Sequence, residues 1–197
     1  MNIFARDNLS RPVLLACIVF LATGYALYLG ALWFSPPRWG RDLVAWCMPV
    51  VKALDSAERV GIISGRDPFP AQVVILYCAL GSILLIAWCL FWFGYSRQAR
   101  EVSLMPYLDQ DRNGASFRIE WLFCGIAGGM LFTFCLYVFF WFSAPRVTWH
   151  DHTFHAPTLS AASLLLIGAT FLSVATAISP LGIYISLSRP SVPKEPC

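Results

Sequence analysis

Four stretches of this chain hold no Asp, Glu, Lys or Arg: residues 12–37, 68–96, 121–145 and 156–188. Each exceeds the roughly 20 residues that an α-helix needs to cross about 30 Å of hydrocarbon. Within lipid, backbone N–H and C=O groups must find partners inside the chain, so a spanning segment is either a helix or part of a closed β-barrel. The stretches are continuously apolar rather than alternating, and four strands do not close a barrel. Composition agrees, with 58% hydrophobic and 13% charged residues, where a soluble domain is about a quarter charged. The expected fold is an all-α integral membrane protein with four transmembrane helices. It forms a single membrane domain over residues 1–197, with helices at about 13–34, 72–93, 121–142 and 159–187.

The first apolar run follows Arg6, Asp7 and Arg11. That order is similar to a signal peptide, but the run is too long for an h-region and lacks an A-x-A exit, so it reads as an uncleaved signal anchor. It ends at Trp33-Phe34-Ser35-Pro36-Pro37-Arg38, aromatics and a cation at the level of the headgroups with prolines that stop the helix. Between about 41 and 60, Leu43, Trp46, Cys47, Val50, Val51 and Leu54 fall on one helical stripe, away from Lys52, Asp55, Glu58 and Arg59. An interfacial amphipathic helix follows, either touching lipid or covering the mouth of the bundle, with Pro49 expected to kink or divide it. Residues 97–120 form a polar linker, and the proline-rich residues 189–197 read as a disordered tail.

The two halves of the chain are similar. The first span ends Trp33-Phe34-Ser35-Pro36-Pro37-Arg38 and the third ends Trp141-Phe142-Ser143-Ala144-Pro145-Arg146. Asp67-Pro68-Phe69 precedes the second span and Asp151 to Phe154 the fourth, and both of these spans end at Ser-Arg. This pattern suggests two similar helical hairpins. Eight Lys and Arg residues flank the side of the N-terminus and six the other side. The positive-inside rule then predicts cytoplasmic N- and C-termini in a multi-pass protein of the cell (inner) membrane.

Two clusters have ligand chemistry. Asp109, Asp111, Asn113, Ala115 through its carbonyl, Phe117 and Glu120, with Gly114 at the sixth position, match the short calcium-loop signature, and these 12 residues resemble an EF-hand loop. The loop departs from the pattern in having Ser116 at its eighth position, Pro106 in the incoming segment and no second loop in the chain. The bland alternative is an Asx-rich turn. The second cluster is His150, Asp151, His152 and His155, which holds every histidine of the chain and ligand types suited to a transition metal. Flanked by Trp149 and Phe154, it reads equally as an interfacial strip whose imidazoles face water.

Gly125, Gly128 and Gly129 in the third span allow close helix packing. The seven cysteines form no C-x-x-C pair, which gives no support to a disulfide framework or a thiolate zinc site. A net charge of +3 spread over the polar segments leaves no nucleic-acid footprint. The spans contain no ionisable Asp, Glu, Lys, Arg or His, where coupled transporters place such groups, and no catalytic motif occurs. The expectation is a protein that is not an enzyme and holds no resident cofactor. It would be an accessory, assembly or interaction subunit contacting the lipid bilayer and a protein partner in the membrane. A calcium- or metal-responsive module is one alternative. Another is a small-solute pore lined by the Ser/Thr face of the last span, with Pro180 as hinge. The plan of few apolar helices and short loops is also comparable to that of immunity proteins against pore-forming toxins.

Overall fold

The computed structural model describes residues 3–95, 115–141 and 147–187. All regular structure in these residues is helical: α1 (Ile3–Trp33), α2 (Arg38–Cys47), α3 (Ala53–Ser64), α4 (Phe69–Tyr95), α5 (Ala115–Phe140), α6 (Trp149–Phe154) and α7 (Leu159–Leu187). Four helices are long and apolar enough to cross a membrane, over Arg11–Trp33, Phe69–Trp92, Leu122–Phe140 and Leu159–Pro180. These match the charge-free stretches closely. α4 starts a few residues earlier than expected because Pro70 falls in its first turn, where a missing N–H does no harm, and Asp67 Oδ1 accepts the Phe69 N–H at 3.0 Å.

The principal packed pairs are α5 with α7, α4 with α7, and α1 with α4. α4 and α7 are therefore central, 44% and 50% buried over their spans, while α1 and α5 lie outside them at 17% and 11%. Small residues set the close approaches. A Cβ at Gly24 would overlap Leu166 of α7, and one at Gly81 would lie 2.6 Å from Phe20 of α1. Beside the latter contact, the Tyr77 hydroxyl donates to the Phe20 carbonyl at 2.9 Å, so the phenol enters the bundle with its polar end satisfied. The six described cysteines are free.

The expected glycine packing in the third span takes the form of an α5–α7 contact. A Cβ at Gly125 would sit 2.9 Å from the Ser179 carbonyl oxygen and 3.0 Å from the Ile183 nitrogen, both main-chain atoms, and one at Gly129 would sit 3.3 Å from Ser179 Cβ. Gly128 is looser, its nearest neighbour being Phe132 of its own helix at 3.6 Å. This face is taken up inside the chain. Pro180 stands within α7, one residue after the closest approach.

Both connections between paired spanning helices, α2 with α3 and α6, fold over the same end of the bundle, and α3 packs on α4, α5 and α6. The predicted stripe from Leu43 to Leu54 is divided by Pro49, which falls in the turn between α2 and α3. Each part follows one of the two expectations. Leu43, Trp46 and Val50 are exposed, as is Trp39. Trp39, Leu43 and Trp46 lie on one face of α2, apart from its buried pair Gly40 and Val44 and from its polar residues Arg38, Arg41 and Asp42. α2 thus has three faces, exposed apolar, buried and polar, the pattern that suits an interfacial helix. Leu54 leaves the stripe. It is wholly buried in α3, together with Ala53, Ser56 and Ala57, beneath a cap pinned to α4 by Gln72 Nε2 donating to the Leu54 carbonyl at 3.4 Å. α3 stops at Gly65, whose φ of 65° closes the helix with Gly65 and Arg66 N–H groups returning to Ile62 and Gly61.

Main-chain atoms cannot swing aside as a side chain can. Gly125→Val is expected to destabilise the protein by about 1–3 kcal/mol through overpacking, whereas Gly128→Ala should stay within ~0.5 kcal/mol of the parent. Thermal unfolding of the two variants in the same detergent checks the contrast.

Candidate functional site

α6 has 6 residues and is too short to stand alone. It is held first by a capping box: the Thr148 hydroxyl accepts the Asp151 N–H at 3.4 Å, and Asp151 Oδ2 accepts the Thr148 N–H at 2.7 Å and the Thr148 hydroxyl at 2.8 Å. At its C-terminus the His155 N–H bonds the Asp151 carbonyl at 2.9 Å. These local bonds bring Asp151 and His155, 3% and 0% exposed, to the inner side of the cap.

The buried imidazole bridges two elements. His155 Nδ1 lies 3.2 Å from Asp151 Oδ1, and Nε2 lies 3.1 Å from the Phe139 carbonyl at the end of α5. A carbonyl only accepts, so Nε2 carries a proton. Asp151 receives donors from Thr148 and from the Ser56 hydroxyl of α3 as well. The ring thus bridges the Asp151 carboxyl of α6 and a main-chain carbonyl of α5. Burial acts to raise the Asp151 carboxyl. The hydrogen bonds from His155, from the backbone and hydroxyl of Thr148 and from Ser56 outweigh it and hold Asp151 well below the usual carboxylate range. Ser56, 0% exposed, also accepts from Arg59 Nη2 at 3.5 Å, and Arg59 pairs with Asp55 at 3.1 Å. The chain of contacts runs from α3 through α6 to α5 and joins the two hairpins at one end.

His150 packs its ring against Phe139, Phe154 and His155, at centroid distances of 5.5, 5.0 and 5.1 Å. Burial, and then the neighbouring His155, lower its pKa, with Asp151 opposing them. Its Nε2 is buried with no hydrogen-bond partner. Ligand atoms of His150, Asp151 and His155 all lie within 4.8 Å of one another. His152, the fourth residue of the predicted cluster, is exposed. An interfacial strip with water-facing imidazoles therefore describes His152, not His155.

Asp109, Asp111 and Asn113 of the calcium-like loop lie outside the described residues, as do the rest of the linker from 97 to 114 and the tail from 189 to 197. Ala115, Phe117 and Glu120 fall in the opening turns of α5, with Glu120 exposed. Ser56, Thr148 and the Phe139 carbonyl escaped sequence reasoning. Thr148-x-x-Asp151 is a legible capping box, but nothing in the sequence pairs Ser56 or Phe139 with the histidines. Comparison with protein-family models, with characterised proteins and with solved structures finds no match.

Removing one partner of a buried hydrogen-bonded pair leaves the other unsatisfied, which costs about 1–3 kcal/mol, and more where that group is charged. Asp151→Ala and His155→Ala should each lose that much in thermal or denaturant unfolding, Thr148→Ala about 1 kcal/mol as a lost cap, and His152→Ala nothing measurable. Because the folded-state pKa of Asp151 is depressed, its contribution is complete above the unfolded carboxyl value of about 3.9 and disappears as pH falls below it. The parent should therefore lose stability more steeply than Asp151→Asn under acidification through about pH 4.

Proposed function

We propose that this chain is a non-catalytic subunit that acts by contact within the cell membrane, in accessory or assembly roles, with both termini cytoplasmic and the α2, α3 and α6 cap on the outer side. The observation that carries this is the outer face of α5. Phe123, Ile126, Met130, Phe134 and Tyr137 recur at helical spacing and are all exposed, on a helix only 11% buried in its span. A large aromatic stripe on an outer helix suits packing against another transmembrane helix, where dispersion and shape provide the attraction that hydrophobicity cannot.

The polar groups weigh the same way. Ser163, Thr170, Ser173 and Ser179 donate to carbonyls of their own helix at 2.6–2.9 Å, and Thr170 and Ser173 are buried, which leaves a poor lining for a pore. The one buried ionisable pair among the described residues is closed by its own hydrogen bonds rather than presented to a cavity.

A second reading, a metal-responsive module, draws on the buried and unpartnered His150 Nε2 beside Asp151 and His155. A tetrahedral ion with two imidazoles and a carboxylate is a familiar ligand set. Binding there would require His155 to give up a ring proton and Asp151 to exchange its partner.

Purification in mild detergent is expected to bring down one protein at a constant ratio to this chain. Phe123→Ala combined with Phe134→Ala should release it without lowering the unfolding temperature; a partner retained by this variant, or none at all, defeats the contact reading. Labelling of His152→Cys in intact cells with a membrane-impermeant reagent checks the orientation. For the metal reading, cobalt(II) should give a tetrahedral d–d spectrum that His150→Ala abolishes and His152→Ala preserves; a colourless parent rejects it.

A further inference from the structure

An apolar groove of about 500 Å³ runs between α1 and α4, with α2 across its head. Among its lining residues are Ala26, Gly30, Phe34, Trp39, Leu80 and Leu84. The lining on α4 extends from Phe69 to Leu84. These sixteen residues rise about 22 Å from first to last, enough to traverse the roughly 15 Å of hydrocarbon in one leaflet. Gly30 opens onto unoccupied space, with nothing within 4 Å of where its Cβ would stand.

The head of the groove lies at the aromatic end of α1, where Phe34, Pro36, Pro37 and Trp39 line it. Arg38 stands between Pro37 and Trp39, is exposed, and has no ionic partner among the described residues. It also begins α2, whose N-cap residue Pro37 offers no side-chain acceptor, so the first N–H groups of the helix remain available. An apolar slot one leaflet deep thus ends at an exposed cation, without an ionic partner among the described residues, and at a positive helix end.

A transmembrane helix does not fit this space. A spanning helix is about 10 Å across and runs through both leaflets, whereas this groove is one leaflet deep and α2 crosses its exit to the headgroup layer. A single hydrocarbon chain meets neither obstacle. We propose that the groove binds one anionic phospholipid, with an acyl chain between α1 and α4 and its phosphate at Arg38 and the N-terminus of α2.

The test uses the full chain in nanodiscs of equal phosphatidylcholine and phosphatidylglycerol, extracted into mild detergent, with retained phospholipid identified by mass spectrometry. The parent should retain phospholipid enriched in phosphatidylglycerol relative to the disc. Gly30→Phe and Ala26→Leu place side chains in the groove and should lose the retained lipid while unfolding at the parent temperature, so a folding failure in one is covered by the other. Arg38→Gln should keep a lipid but reduce the phosphatidylglycerol enrichment about fivefold, the factor a single surface cation contributes. A lipid-free parent, groove-filling variants that retain lipid as the parent does, or an Arg38→Gln enrichment equal to the parent's would each overturn the proposal.

Discussion

Hydrocarbon offers no hydrogen bonds, and the fold answers that deficit from within the chain, with Ser82 Oγ, Trp92 Nε1 and Thr176 Oγ1 as buried exceptions among the described spans. The spanning segments are helices because only a helix satisfies its backbone within one segment. The same constraint turns the hydroxyls of Ser163, Thr170, Ser173 and Ser179 back onto carbonyls four residues earlier and sends the Tyr77 hydroxyl to the Phe20 carbonyl. Pro180 breaks the pattern locally, since it supplies no N–H to Thr176 and crowds that carbonyl. The disturbance lies where α5 comes closest, at Ser179 and Ile183, and the glycines of α5 admit it. Proline and close contact occupy one site.

Among the described residues, the buried acid and imidazole lie together at the cap, and there they are closely bonded. His155 and Asp151 face each other, while Thr148, Ser56 and the Phe139 carbonyl occupy the remaining donors and acceptors. Such a pair adds little net stability compared with apolar residues of equal size, because desolvation cancels much of the attraction. Its contribution is directional. Apolar contacts between α3, α5 and α6 tolerate sliding, but a ring bonded on one side to a carboxyl and on the other to a carbonyl accepts one arrangement. The connections of both hairpins meet at this ring, so it fixes their relative register at the end where α2 and α3 enlarge the first connection.

The fold was legible because charge-free length and hydrogen-bond necessity leave almost no alternative. Lateral order was less so. α1, α4, α5 and α7 are all rich in apolar residues on every side, and no stripe declares which pair is central. The glycines gave the best clue: Gly24, Gly81 and Gly125 each mark an approach to a neighbouring helix, though none names the neighbour. In the polar segments, periodicity put Leu43, Trp46 and Leu54 on one face of a single helix, and Pro49 divided that face between lipid and core. For the histidines, residue type showed that the segment was chemically unusual. It could not separate the buried His155 from the exposed His152, because that depends on Ser56, about a hundred residues before His155, and on Phe139, 16 residues before it.

The position of α2 follows from these same forces. Continuing α3 as one helix through Pro49 would have carried Leu43 and Trp46 onto the buried face with Leu54, a single stripe facing one environment. The break lets α3 close the bundle while α2 rolls outward, Gly40 and Val44 against Phe69, tryptophans to the lipid and arginines to the water. Rolling out has a geometric consequence. A helix of three faces laid across the ends of α1 and α4 cannot also fill the space beneath it, and with Gly30 and Ala26 in α1 no side chain reaches in from there. The groove is the complement of the interfacial helix: the residues that hold α2 at the headgroups are those that leave one leaflet's depth of apolar surface open to a lipid chain.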